Sequence, residues 1–105
     1  MGKARIEIPK ERIAEFCKKW QIREFALFGS VLRDDFRSDS DIDVLATFDE
    51  DANHSLFDMV HMEEELETIF KRGVDLVSRR GLESSQNYIR KNAILSTAST
   101  VYEER

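Results

Sequence analysis

The feature that most constrains this chain is a short apolar run, Glu24 to Phe28, that stops at Gly29-Ser30. After ten intervening residues, Asp41-Ile42-Asp43 opens a second apolar run. The first run reads as a buried strand feeding a tight turn. A glycine between a strand and a helical turn lets the backbone approach a phosphate closely, while free N–H groups and the serine hydroxyl supply donors. Asp41 and Asp43, two apart on a strand, fall on one face about 6.5 to 7 Å apart along the backbone. Two carboxylates at about 4 Å repel by roughly 4 kcal/mol at an effective dielectric near 20, so the pair calls for a cation. Oxygen ligands without His or Cys point to Mg²⁺ or Mn²⁺, sharing phosphate oxygens and water. Asp75 is the candidate third carboxylate, because it interrupts the apolar strand Val74-Asp75-Leu76-Val77 and an acid buried there needs a partner. Its plainer reading is an exposed acid on an edge strand.

A chain of 105 residues is the size of one domain, and a single domain spanning 1–105 is the expectation. The formal charge is −5, which argues against a broad grip on nucleic-acid backbone. The acidity is concentrated: from Arg33 to Asp51 eight acids face two bases, so the remainder is weakly positive. Such a run is usually a solvated surface; the Asp41/Asp43 spacing is what lifts this one above that reading. The single cysteine, Cys17, cannot form an internal disulfide, and no Cys/His cluster has zinc spacing, which suits a cytoplasmic protein. The longest apolar run is far short of a membrane span, and the start of the chain, with Glu7 and Lys10, lacks a signal peptide's apolar middle.

Around this core the periodicity predicts a helix from Pro9 to Trp20, with Ile13, Phe16, Cys17 and Trp20 on one side and Pro9 at its first position. Asp41 to Phe48 reads as a strand with Ile42, Val44, Ala46 and Phe48 on one face. Ser55 and Asp58 resemble a capping box that starts a helix running to Gly73. Lys71 and Arg72 then fall in its last turn and Gly73 in the left-handed position beyond it. Val74 to Ser78 reads as a third strand, and the stretch from Ser84 to about Tyr102 as a last helix, frayed at Ser96 to Thr100.

The stretch from Phe28 through Leu45 resembles the signature of the minimal nucleotidyltransferases, small relatives of DNA polymerase beta encoded beside HEPN-domain ribonucleases as antitoxin and toxin. Gly29, Ser30, Asp41 and Asp43 match the defining pattern and Asp75 the later acid. Arg33, Asp35, Arg37, Asp39 and Ser40 match its usual filling, and the similarity runs on through Val74–Leu82 and Tyr88–Tyr102. Two positions depart: Asp34 stands where many relatives have glycine, and Ser38 where proline is usual. Both lie in the connecting loop, where they bear on nucleotide preference and leave the acids intact.

The resemblance implies an α+β fold, a small mixed sheet with helices packed mainly on one face. It implies ATP as substrate, two Mg²⁺ ions, and transfer of AMP to a hydroxyl with release of pyrophosphate. For toxin-linked members the acceptor is a tyrosine of the HEPN toxin, whose modification silences it. Gly29 and Ser30 would hold the β and γ phosphates, with Arg33 and Ser40 also on the nucleotide. Asp41 and Asp43 would bind both metals, and Asp75 the catalytic one while helping to deprotonate the hydroxyl.

Two other readings compete with this one. A non-catalytic antitoxin would neutralise its toxin by covering it, but a pure cover has no need of three converging acids. The length argues against the antibiotic-modifying and RNA-tailing relatives, since 105 residues leave no room for a separate substrate domain. A stand-alone transferase with a small-molecule acceptor is a weaker third reading that the sequence alone does not separate from the others. Elsewhere, Arg33 and Arg37 are expected on phosphates or paired with Asp34, Asp35 and Asp39. His54 and His61 are read as capping or surface residues, Cys17 as a buried inert thiol, and Trp20 as core. Met59 and Met62 are read as core or interface filler, Glu63-Glu64-Glu65-Glu67 as a solvated helix face, and Tyr88 and Tyr102 as core or toxin contacts.

Overall fold

The computed structural model describes residues 8–33, 36–37 and 40–104. Asp34, Asp35, Ser38 and Asp39 lie outside the described residues, as does Glu7, and with them the expected pairing of Arg33 and Arg37. The order is α1 (Lys10–Trp20), β1 (Ile22–Phe28), a 3-10 turn (Gly29–Leu32), β2 (Ile42–Phe48), α2 (Leu56–Phe70), β3 (Val74–Ser78), α3 (Arg79–Glu83), α4 (Tyr88–Thr97) and β4 (Ser99–Glu103).

The four strands form one sheet in the order β3-β2-β1-β4. β1 is antiparallel to both β2 and β4, and β2 runs parallel to β3. Parallel neighbours need a crossover, which α2 supplies. Alternation along the strands divides the core. Phe25, Leu27, Ile42, Val44, Val74 and Leu76 face α1 and α2, joined there by Ile13, Phe16, Met62 and Leu66. Ala26, Phe28 and Leu45 face the other way, under Leu82 of α3 and Ile94 of α4. α1 and α2 thus cover the larger core on one face, and α3 and α4 a smaller cluster on the other.

Local signals explain most of these elements. Ser55 Oγ accepts from the Asp58 N–H at 3.2 Å and Asp58 Oδ2 from the Ser55 N–H at 3.0 Å, a complete capping box. The hydrogen bond from the Ser55 N–H first, and then that with the Ser55 hydroxyl, hold the Asp58 carboxyl below its ordinary range. That contribution to stability is present above the ordinary carboxylate pKa and lost as pH falls through the lowered one. Ser55→Ala should cost about 1 kcal/mol, read as a lower urea midpoint at neutral pH with an unchanged slope.

Four expectations are corrected. Pro9 is the N-cap of α1, whose first residue is Lys10. The left-handed residue after α2 is Lys71 (φ 60°), not Gly73. The last helix stops at Thr97, and Ser99–Glu103 forms β4 against β1; a Ser-Thr-Val-Tyr run suits a strand better than a helix end, and the partner strand it needs is remote in sequence. The glutamates of α2 are not simply solvated. Glu63 accepts the Leu76 N–H at 3.0 Å, Glu67 lies 3.5 Å from the Val74 N–H, and Glu65 takes Lys19 and the Trp20 indole. Two of these carboxylates therefore occupy outward N–H groups of β3, which blunts an edge strand that would otherwise invite pairing.

Candidate active site

The sheet register brings the acids together. Asp43 on β2 is paired with Phe28 of β1 on one side and with Asp75 of β3 on the other. Paired residues on adjacent strands share a face at a strand spacing of about 4.8 Å, so Asp43 and Asp75 emerge side by side. This is the face of Leu45 and Phe28, toward α3 and α4. Asp41 lies one residue before β2 and keeps the same parity. It is exposed, as is Asp75, while Asp43 is half-buried.

Each of the first two aspartates rests on a glycine. A Cβ at Gly29, whose φ is +76°, would run into the Asp43 carboxylate; a Cβ at Gly73 would run into that of Asp41. Gly73 also accepts the Ile42 N–H through its carbonyl at 2.9 Å, which ties the entrance of β2 to that of β3. The importance of Gly73 was not legible beforehand, since its position suggested only a helix end.

Electrostatics report the same convergence. Burial pushes the Asp43 carboxyl above its ordinary range, and the charges of Asp75 and Asp41 push it further. Arg90 of α4 and Arg33 pull it the other way. Arg90 is a charge near these acids that sequence reasoning missed. Four residues before the buried Ile94, it lies on the α4 stripe that faces the sheet.

Phe36 and Arg37, between the 3-10 turn and β2, are held from β3's side. The Arg72 guanidinium stacks over Phe36 at 4.8 Å and donates to the Arg37 carbonyl at 3.2 Å. Ser40 Oγ accepts the Arg37 N–H at 3.0 Å, so that hydroxyl already has a backbone partner. Ser30, half-buried, is the second residue of the 3-10 turn, and its carbonyl accepts the Arg33 N–H at 2.9 Å.

The profile of the nucleotidyltransferase domain matches residues 10–98. The chain belongs to the nucleotidyltransferase domain family. This nucleotidyltransferase is 37% identical over 70 residues to the protein adenylyltransferase MntA of Thermococcus cleftensis, a match covering 67% of this chain and 69% of that protein. Its fold is shared with a toxin-antitoxin crystal structure containing AMP-PNP, at TM-score 0.70 and 16% identity, over 93% of this chain and 76% of that one. It is shared also with a complex of a tri-AMPylated Shewanella oneidensis HEPN toxin and its MNT antitoxin, at TM-score 0.62 and 17% identity, over 90% and 69%.

Do the acids of this nucleotidyltransferase fit a divalent cation? Among the described residues no three His, Cys, Asp or Glu side chains close on one point tightly enough to hold an ion unaided. The donor set is nevertheless suited to one: three carboxylates on one face, mutually repelling at Asp43. Mg²⁺ commonly takes only one or two carboxylates and completes its shell with water and phosphate oxygens. A site finished by the nucleotide agrees with both observations.

Other expectations resolve simply. Cys17 is buried and its thiol is pushed up to about 12 by burial. The native protein should therefore resist iodoacetamide at pH 8 while the urea-unfolded chain reacts, which mass spectrometry reads directly. His54 Nε2 lies 2.7 Å from the Trp20 carbonyl, and its ring meets Trp20 and Phe48 edge to face; it is a packing residue more than a surface one. Met62 is core, and Tyr88 is exposed. Among the described residues no helix is long and apolar enough to cross a membrane.

Proposed function

We propose that this nucleotidyltransferase moves AMP from ATP to a hydroxyl, a tyrosine's by family resemblance, on a partner HEPN ribonuclease toxin, and so acts as its antitoxin. The observation that carries the reading is the Asp43–Asp75 register pair beside Asp41, backed onto the Gly29 corner. The names of the relatives support the same chemistry: one is a protein adenylyltransferase, and one structural neighbour contains an AMPylated HEPN toxin.

Asp41, Asp43 and Asp75 would hold Mg²⁺, which when bound polarises the α phosphate and neutralises charge on the departing pyrophosphate. Gly29 and Ser30 receive the β and γ phosphates, the glycine's missing side chain allowing close approach. Arg33, whose charge already reaches Asp43, sits where it can meet a phosphate. Asp75 takes the proton of the incoming hydroxyl as its oxygen bonds to the α phosphorus and the bond to the β-phosphate oxygen breaks. β3 is an edge strand and Asp75 is exposed on it, so a hydroxyl carried on another protein can reach this carboxylate from outside the sheet.

The test is incubation with α-labelled ATP, Mg²⁺ and the partner HEPN protein. Label should appear on a partner tyrosine, together with loss of its ribonuclease activity. If a stable complex silences the partner and no label transfers, the chain neutralises by binding alone.

A further inference from the structure

Asp41 stands just outside β2, which begins at Ile42, and its side chain is exposed. Strand pairing therefore does not fix it as it fixes Asp43 and Asp75. Both peptide groups that flank Asp41 are nevertheless engaged by two consecutive residues at the entrance of β3. On the C-terminal side, the Ile42 N–H donates to the Gly73 carbonyl at 2.9 Å. On the N-terminal side, the Ser40 carbonyl lies 3.5 Å from Nη1 of Arg72.

Arg72 does more than meet one carbonyl. The same Nη1 donates to the Arg37 carbonyl at 3.2 Å. Arg37 and Ser40 are in turn tied to each other twice, the Ser40 N–H donating to the Arg37 carbonyl at 3.1 Å and the Arg37 N–H to Ser40 Oγ at 3.0 Å. The guanidinium lies over the Phe36 ring at 4.8 Å, and Phe36 packs against the larger core. A half-buried arginine, resting on the core by way of an aromatic ring, thus grips the described residues that lead into Asp41. Charge alone does not explain an arginine here. A cation beside carboxylates competes with a metal for them, whereas a planar fork that donates to carbonyls while stacked on a ring is something lysine does not reproduce.

We propose that Arg72 is a positioning residue for Asp41: it holds the peptide on one side of this aspartate while Gly73 holds the other, and so fixes the direction from which the carboxylate meets a metal. With both peptides held, only the side-chain torsions of Asp41 remain free, and those fall into a few staggered wells. The inference rests on the reading above in which Asp41 binds Mg²⁺. Groups that orient a metal ligand are worth about 10- to 100-fold in metal affinity. The lower end applies here, because Arg72 acts through the backbone of its neighbour and touches no ligand atom.

The test compares the wild type with Arg72→Gln, Arg72→Lys and Phe36→Leu, and with Lys71→Gln, which removes the exposed cation next door. The probe is Mn²⁺ with a non-hydrolysable ATP analogue, its binding followed by electron paramagnetic resonance. Arg72→Gln should weaken Mn²⁺ about tenfold, and Arg72→Lys nearly as much although the charge is kept. Phe36→Leu, which removes only the stacking, should cost about threefold and keeps the test open should Arg72→Gln fail to fold. Lys71→Gln should change nothing. In the metal-free protein, hydrogen exchange should quicken at the Ile42 amide of Arg72→Gln while amides in the middle of β2 keep their rates. Exchange quickened alike along β2 would make Arg72 a merely structural residue. Full recovery in Arg72→Lys, or an equal loss in Lys71→Gln, would show that charge alone matters, and unchanged Mn²⁺ binding in Arg72→Gln and Phe36→Leu that Asp41 needs no such hold. Each of these results overturns the proposal. A wild type that takes up no Mn²⁺ with the analogue would remove the metal reading of Asp41 itself, and this one with it.

Discussion

Asp43→Asn is expected to abolish nucleotidyl transfer while making the protein more stable. The loss follows from removing the carboxylate that stands between the other two. Metal-borne stabilisation of a phosphoryl transition state is worth several kcal/mol, and at about 1.4 kcal/mol per tenfold the rate should fall by about a thousandfold. The gain follows from the environment of Asp43, where burial first, and then Asp75 and Asp41, raise the carboxyl above its ordinary pKa. A group whose folded pKa is raised is ionised at a cost to the native state. That cost is present in full above the folded pKa, and it is relieved as pH falls through it toward the ordinary carboxylate value. Asparagine keeps the shape and removes the charge. Its melting temperature at pH 7 should therefore exceed the wild type's, the difference shrinking as pH is lowered toward 4. A variant inactive but no more stable would mean that the three charges do not press on one another. Sites that trade stability for function in this way are common.

Gly29→Ala should be nearly as damaging to activity, and for a different reason. The backbone there is left-handed at φ +76°, and the added methyl would meet the Asp43 carboxylate. The conformational term alone is about 1–2 kcal/mol. The carboxylate must also move, and a displacement of about 1 Å at a reacting centre can cost 10²-fold. Gly73→Ala is the natural control. The methyl would meet Asp41 in the same manner, but no positive φ is imposed there, and the Asp41 side chain is exposed and free to turn away. It should lower transfer about tenfold or less and the melting temperature little. Steady-state transfer rates and thermal melts on the pair separate the two contributions. Equal losses at both glycines would show that backbone strain at Gly29 is not what positions the acid.

Much of this site could be read from residue spacing because its parts are local. Gly29-Ser30, Asp41 and Asp43 lie within one turn-and-strand unit, and alternation on β2 fixes which face the acids share. Asp75 was legible as an acid in an apolar strand; it is exposed on an edge strand, and it lies in register with Asp43. What escaped reading depends on elements far apart in sequence. Arg90 reaches Asp43 only because α4 folds back over the sheet. Glu63 and Glu67 look solvated along α2 until β3 is placed against it. β4 was hidden because Ser96 to Tyr102 carries no turn signal, and its pairing partner, β1, lies some seventy residues earlier: Ser99 pairs with Leu27 and Tyr102 with Phe25.

The most direct measurement of the central claim is a crystal structure grown with Mn²⁺ and a non-hydrolysable ATP analogue, with anomalous scattering used to place the metal. The account predicts anomalous peaks bound by Asp41 and Asp43, one of them also by Asp75, with the triphosphate against Gly29 and Ser30. Manganese found away from these carboxylates, or a nucleotide bound with Asp75 touching no metal, would contradict it.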